Sequence, residues 1–156
     1  MGRKVLVGFD ESENAMRAVE FVAKSFTSDH EVVLFHVALD TAAICSLNSP
    51  ELVPLFLEHQ VQFCTLEDKK KELVNQGMEK AKQLLMDAGF QDKNVRFKVQ
   101  TKKKGVARDI AAEAHTGYQA VVLGRRGVSG VEEFFLGSVS QKVLHATKDI
   151  SVIVVS

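Results

Sequence analysis

The sequence predicts an α/β fold in which one parallel sheet is covered by helices on both faces. Five short runs rich in Val, Leu and Ile alternate along the chain with segments whose apolar residues recur at helical spacing. Most of these runs are continuously apolar, which is typical of parallel strands buried on both faces. Regular alternation of strand and helix favours a layered arrangement, and right-handed crossovers then place helices on both sides of the sheet.

The five strands are predicted from these apolar runs. In chain order they are Lys4–Phe9, Glu31–Leu39, Val95–Val99, Ala120–Leu123 and Ser151–Val155. The third run alternates apolar and polar residues, which indicates a strand at the edge of the sheet.

Four apolar stripes predict the helices between the strands. The stripes are Ala15, Ala18, Val19, Val22 and Phe26; then Leu73, Ala81, Leu84, Leu85 and Ala88; then Ile110, Ala111 and Ala114; and finally Val139, Val143 and Leu144. Gly89 and Gly117 follow the second and third stripes and are expected to end those helices.

Composition limits the class of protein. The chain has 156 residues, of which 46% are apolar and 26% charged, and its formal net charge is zero. These values predict one globular domain over residues 1–156, and they disfavour nucleic acid or a membrane surface as the partner. The sequence shows neither a membrane-spanning run nor a secretory leader, so the cytoplasm is the expected location.

Cys45 and Cys64 are expected to be reduced, buried thiols, with a redox-linked pair as the less favoured alternative.

The connection from Asp40 to Thr65 interrupts the regular alternation, and it holds both prolines and both cysteines. Pro50-Glu51 is a suitable start for a short amphipathic helix. The favoured interpretation is a helix packed on the core. The alternative is a lid or a contact surface for a partner, because long connections in small domains are often functional.

A glycine-rich stretch between the fourth strand and the last helix is the strongest sign of function. Its spacing is G-x2-G-x9-G-S over Gly124, Gly127, Gly137 and Ser138. Glycines let a backbone approach an anion, and a helix N-terminus attracts negative charge, so the pattern favours phosphate binding. The alternative is structural: the glycines serve a turn, and Ser138 with Gln141 forms a capping box.

Three segments taken together resemble the universal stress protein family. They are Val5–Ser12, which ends in Asp-x-Ser; Leu34–Val37, which ends in His-Val; and the glycine stretch with Gln141–Leu144 and the last strand. Gly105–Ala114 also looks like that family's third helix, and only the Asp40–Thr65 connection matches weakly. The resemblance implies a doubly wound five-stranded parallel sheet in the order 3-2-1-4-5. The complete glycine pattern implies the ATP-binding group of the family.

The resemblance also implies the site residues. They are Phe9, Asp10, Val37, Leu123, Gly124, Arg126, Gly127, Gly137, Ser138, Val139 and Ser140. In an open α/β sheet, ligands bind where the strand order reverses, which here is between the first and fourth strands. Asp10 is expected to accept hydrogen bonds from ribose hydroxyls, and its structural alternative is the N-cap of the first helix with Glu13 completing a box. Val37 is expected to pack on adenine, and Ser138 and Ser140 to donate hydroxyls to phosphate.

No catalytic or metal-ligating residue is predicted. The sequence has no Walker-type lysine, no carboxylate pair beside the glycines and no histidine cluster, so one carboxylate, Asp10, is the only candidate contact for a Mg²⁺ ion bound with ATP. The lysine runs Lys69–Lys71 and Lys102–Lys104 are expected to be solvated.

The predicted function is that of an ATP-binding regulatory or stress-response protein in which nucleotide is coupled to dimer or partner interactions. A homodimer is expected through the edge strand Val152–Val155, as in dimers of the family, and an unidentified protein partner is a further expectation. Two other classes remain open: a slow ATPase or nucleotide-transfer enzyme, and a nucleotide-free dimeric interaction module.

Overall fold

The computed structural model describes residues 3–46, 54–125 and 136–156. Its five strands form one parallel sheet in the order β3-β2-β1-β4-β5. The strands are β1 Lys4–Gly8, β2 Glu31–Ala38, β3 Val95–Thr101, β4 Ala120–Gly124 and β5 Ser151–Val155. The predicted strands, their order and the edge position of β3 are all confirmed.

The order of the strands explains where a crevice forms at the edge of the sheet. β1 lies at the centre, and its Val5 pairs with Val32 of β2 on one side and with Ala120 of β4 on the other. The chain runs outward from β1 through β2 to β3, then crosses to β4 on the opposite side. The connections that leave β1 and β4 therefore diverge, and this divergence leaves a crevice at the carboxyl edge of the sheet.

Helices cover both faces of the sheet, as predicted. They are α1 Glu13–Ser25, α2 Ala42–Cys45, α3 Pro54–Asp87, α4 Val106–Ala114 and α5 Ser138–Ala146. Successive side chains of a strand point to opposite faces. Val5 and Val7 accordingly lie in a core with α1 and α3, whereas Leu6 lies in a second core with α4 and α5.

The first helix follows its sequence pattern closely. Ser12 is the N-cap of α1, and its hydroxyl oxygen accepts a hydrogen bond from the N–H of Ala15 at 3.3 Å. The buried residues of α1 are Ala15, Ala18, Val19 and Val22, all from the predicted stripe. The last stripe is correct only in part, because Leu144 of α5 is 46% exposed whereas Val143 is fully buried.

The long helix α3 corrects the prediction for the Asp40–Thr65 connection. The second apolar stripe predicted a helix beginning near Leu73, but α3 begins at Pro54. No residue from Pro54 to Leu73 is buried, and the buried residues Val74, Met78, Ala81 and Leu85 all lie in the second half of α3. The favoured interpretation of this connection as a helix packed on the core is therefore wrong for the first half of α3. The expected start at Pro50-Glu51 lies outside the described residues.

The prediction for the two cysteines is also wrong. Cys45 at the end of α2 and Cys64 in α3 form a disulfide bond, so they are not reduced, buried thiols. Cys45 is exposed and Cys64 is half-buried. The expectation failed because it assumed that this connection would place its cysteines in the core, whereas neither Ala42–Cys45 nor the part of α3 from Pro54 to Leu73 contains a buried residue.

Candidate functional site

A cavity of about 380 Å³ lies at the carboxyl edge of the sheet, at the predicted point of reversal. The loops after β1, β2 and β4, the start of α5 and one side of α3 border it. Every predicted site residue within the described ranges lines this cavity: Phe9, Asp10, Val37, Leu123, Gly124, Gly137, Ser138, Val139 and Ser140. The other two, Arg126 and Gly127, lie outside the described residues.

Asp10 lies between the end of β1 and the start of α1. Its Oδ1 accepts hydrogen bonds from the N–H of Ser12 at 2.8 Å and from the Ser12 hydroxyl. Because Ser12 is the N-cap of α1, the alternative that Asp10 caps the helix with Glu13 is wrong. Asp10 Oδ2 has no hydrogen bond to any residue in the described ranges, so one carboxylate oxygen is available to accept hydrogen bonds from a ligand in the cavity.

His36 of β2 also lines the cavity, although it was not among the predicted contacts. Its Nδ1 lies 2.8 Å from the carbonyl oxygen of Phe9. A carbonyl can only accept, so Nδ1 carries a proton and donates this hydrogen bond. The hydrogen bond also ties the end of β1 to β2. The His-Val dipeptide that carried the family resemblance was the sequence signal for this residue.

One wall of the cavity is apolar. It is formed by Phe35, Val37, Val106, Ile110 and Leu123. Val37 is 8% exposed and Leu123 is 4% exposed, so both are held in place by the core between the sheet and α4. A buried apolar wall of this kind suits the flat face of an aromatic ring.

Packing within the protein explains why position 124 is a glycine. A Cβ atom at this position would lie 2.6 Å from the carbonyl oxygen of Asn14, in the first turn of α1. The end of β4 therefore approaches the backbone of α1 too closely for any side chain. This packing is a structural reason for glycine that differs from the turn considered from the sequence.

Ser140 anchors the first turn of α5 to the end of β4. Its hydroxyl donates to the carbonyl oxygen of Gly124 at 2.8 Å and lies 3.4 Å from that of Arg125. Ser140 is only 3% exposed. Its single hydroxyl proton is thus already engaged, and the structure gives it a partner other than the expected phosphate.

The N-terminus of α5 faces the cavity without a side-chain cap. Gly137 is the N-cap residue, and no side chain in the described ranges bonds the first N–H groups of α5. The capping box of Ser138 with Gln141 is therefore wrong, because it requires Ser138 at the N-cap position. The unpaired N–H groups of this turn and the helix dipole make it a suitable site for an anion.

Two lysines of α3 reach the cavity from the opposite side. Lys70 and Lys71 line it, together with Glu67. Lys70 Nζ lies 3.5 Å from Glu67 Oε1. Lys70 and Lys71 are exposed, which agrees with the expectation of a solvated run, and they also border the cavity. The sequence signal for their contact with the cavity was their position, four and three residues before Val74. This spacing places them on the same face of α3 as the buried stripe.

A buried carboxylate holds the β3–α4 loop beside the cavity. Asp109 accepts hydrogen bonds from the N–H groups of Lys103 at 2.7 Å and Lys104 at 3.1 Å. Burial alone would raise the pKa of Asp109, but the hydrogen bonds from Lys103, Lys104 and Gly105 outweigh it, and the pKa lies below its ordinary value. The Lys102–Lys104 run is thus fixed through its backbone, and Val106, just beyond it, joins the cavity wall.

Over residues 3–46, 54–125 and 136–156, no group of three or more His, Cys, Asp or Glu side chains is arranged to hold a metal ion. In the same part of the chain, no helix is both long and apolar enough to span a membrane.

Fold and site together define an α/β protein with a ligand cavity where the strand order reverses. The family model described as "Universal stress protein family" matches residues 1–156, and the chain belongs to this family. The resemblance drawn from the sequence motifs is thereby confirmed.

Similar proteins cover nearly the whole chain. Universal stress protein YxiE of Bacillus subtilis is 28% identical over 144 residues, which is 92% of each chain. The structure of the hypothetical protein MJ0577 has a TM-score of 0.70 and 26% identity, covering 99% of this chain and 96% of the other. A universal stress protein solved in complex with cAMP has a TM-score of 0.61 and 18% identity, covering 99% and 97%, and this likeness shows the shared fold.

Proposed function

We propose that this protein is a regulatory, stress-response protein that binds ATP in the cavity between β1 and β4. The observation that carries the proposal is the meeting of three features in one cavity: an apolar wall, an available oxygen of Asp10 and the uncapped N-terminus of α5. These features match the three parts of a nucleotide, namely the base, the ribose and the phosphates. The similar protein solved with cAMP supports an adenine nucleotide as the class of ligand to test.

Each part of the nucleotide has a proposed partner. Adenine packs against Val37 and Leu123, where burial of its ring faces provides the binding energy. The ribose hydroxyls donate to Asp10 Oδ2, because a carboxylate is a strong acceptor. The phosphates bind at the first N–H groups of α5, from Ser138 onward, with the glycine stretch beside them.

The positive charge that phosphates require has two sources. Lys70 and Lys71 line the cavity, and the sequence places Arg126 in the glycine stretch. A Mg²⁺ ion that accompanies ATP would add further charge, with water between it and Asp10.

Regulation, rather than turnover, is proposed as the outcome of binding. A slow ATPase is the competing class, and phosphate release by the wild type well above that of a site variant would favour it.

We also propose a homodimer and a cytoplasmic location. β5 lies at one edge of the sheet and pairs with β4 on its other side. An exposed strand edge offers unpaired backbone groups, and pairing with β5 of a second copy would satisfy them. The Val152–Val155 segment is half-buried in the single chain, which leaves apolar surface for such a contact.

The nucleotide site is tested by calorimetric titration with ATP and Mg²⁺. The Asp10→Asn variant keeps the shape of the side chain but replaces an acceptor by a donor, so we expect at least tenfold weaker binding, about the loss of one charge-assisted hydrogen bond. Glu20→Gln is the matched control, because it removes the same charge from an exposed position of α1. Equal affinity of Asp10→Asn and the control would refute the ribose contact, and no binding by the wild type would refute the proposed function.

A further inference from the structure

The disulfide bond joins two weakly held segments of the protein. α2 has no buried residue, and the first half of α3 has none either. The contacts between the two include the Cys45–Cys64 bond and a hydrogen bond of 2.5 Å from Gln60 Nε2 to the carbonyl oxygen of Ile44. The disulfide is the covalent part of the link between α2 and α3.

The first half of α3 and the chain just before α2 border the cavity. Leu39, which lines it, lies between the end of β2 and the start of α2. Glu67, which also lines it, follows Cys64 by three residues and so lies on the same side of α3. The disulfide thus joins α2, which follows the rim of the cavity after β2, to the helix α3, which carries another rim. A change in this bond alters how firmly the two rims are held relative to each other.

The bond is accessible from solvent. Cys45 is exposed, whereas Cys64 is half-buried. Thiol–disulfide exchange needs access of a thiolate to one sulfur, and exposed disulfides are the ones most open to it. Cys45 is therefore the sulfur that a small thiol attacks.

We propose that Cys45 and Cys64 form a reversible redox site that controls how tightly the cavity holds its ligand. The proposal rests on the proposed function, because its ligand is the nucleotide. In the oxidised form the two rims are already held together. In the reduced form the ligand must order them as it binds, and this cost lowers its affinity. The oxidised protein is the high-affinity state.

The redox step is an exchange with a low-molecular-weight thiol. The thiolate attacks Cys45 Sγ, the Cys45–Cys64 bond breaks, and Cys64 leaves as a thiolate that takes a proton. A second thiolate then attacks the sulfur of the first reagent molecule. This releases Cys45 and leaves the two reagent molecules joined as a disulfide. Two electrons pass from the reagent to the protein, and the reverse sequence with a small disulfide restores the bond.

The experiment compares ATP binding, with Mg²⁺ present, by the oxidised and reduced forms of the full chain. Thiol alkylation and mass measurement establish each form. We expect binding to weaken about tenfold on reduction, within the usual range for coupling between two sites. Coupling is reciprocal, so saturating ATP should make the disulfide harder to reduce by the same factor, about 30 mV in a glutathione buffer.

The double variant Cys45→Ser, Cys64→Ser is the control. It should bind ATP like the reduced wild type and should not respond to reductant, and circular dichroism establishes that it is folded. Equal affinity of the oxidised and reduced wild type would overturn the redox proposal and leave the nucleotide site intact. Absence of binding to both forms would overturn the nucleotide function itself, and redox control of that binding with it. A protein that forms no disulfide with glutathione disulfide would also overturn the proposal.

Discussion

Ser140 donates a hydrogen bond of 2.8 Å to the carbonyl oxygen of Gly124, and this contact joins the last helix to the end of a central strand. The same Gly124 lies against the backbone of Asn14 in the first helix. The end of β4 is therefore the point at which α1, α5 and the sheet meet, directly below the cavity. Two of the following predictions test this junction.

Ser140→Ala should destabilise the protein by about 1 kcal/mol, because it leaves the Gly124 carbonyl without its buried donor. The measurement is the free energy of unfolding in urea. Ser138→Ala is the matched control, since Ser138 is exposed, and it should change stability by less than about 0.5 kcal/mol. Equal effects of the two substitutions would contradict an anchoring role for Ser140.

Gly124→Ala should destabilise the protein by about 1–3 kcal/mol, the usual cost of forcing an extra group into a packed region. The added Cβ would lie 2.6 Å from a backbone oxygen, which cannot move aside as a side chain can. The measurement is again urea unfolding, with nucleotide absent. A variant as stable as the wild type would show that α1 and β4 separate easily.

Gly137→Asp should weaken ATP binding without destabilising the protein. Gly137 has φ −59° and ψ 153°, a conformation open to any residue, and Asp is a favoured N-cap. We therefore expect stability to change by only a few tenths of a kcal/mol, in the favourable direction, whereas ATP binding falls more than tenfold because the carboxylate takes the place of a phosphate. Gly137→Asn is the control for capping without charge. Undiminished ATP binding by Gly137→Asp would remove the N-terminus of α5 from the site.

Asp109 should make stability depend on pH in the acid range. Its pKa in the folded protein lies below the ordinary value of 3.8, so between the two pKa values the unfolded chain binds the extra proton. The stabilisation is present above the ordinary value and is lost as the pH falls through the folded pKa. The measurement is urea unfolding of the wild type and Asp109→Asn from neutral pH downward. Asp109→Asn should be less stable at neutral pH and should lose less stability on acidification; parallel curves would contradict the assignment.

Val154→Lys should dissociate the proposed dimer. Val154 lies in the edge strand β5 but in neither core cluster, whereas Val152 and Ile153 pack against the two cores. A lysine on an edge strand opposes strand pairing between copies and should leave the single chain folded. Sedimentation at micromolar concentration gives the measurement, and Leu144→Lys, at another exposed apolar position, is the control. A wild type that sediments as a monomer would contradict the dimer.

The strands were predictable because apolar periodicity is a local property. Runs such as Val5-Leu6-Val7 are buried on both faces, and their composition alone separates them from helix and loop. The order of the strands followed from the family resemblance. The predicted cavity residues met in space because the carboxyl ends of β1, β2 and β4 share one edge of the sheet.

The errors came from side chains whose partners lie far along the chain. The contact of Lys70 and Lys71 with the cavity was missed because the other elements that form this cavity lie far along the chain. Cys45 and Cys64 were assigned to the core because the course of the connection between β2 and α3 was not predicted. The length of α3 was missed because its first half is not buried, so no apolar stripe marks it.

The sequence by itself determined the fold class, the strands, most of the core and the position of the helix turn proposed to bind phosphate. These depend on local patterns of residues and on the glycine spacing. Only the tertiary structure decided that Ser12, not Asp10, caps α1, that Ser140 bonds Gly124, and that Cys45 reaches Cys64. In each case several hydrogen-bond or covalent partners were possible from the sequence. The partner that forms the bond is the one that folding brings within bonding distance.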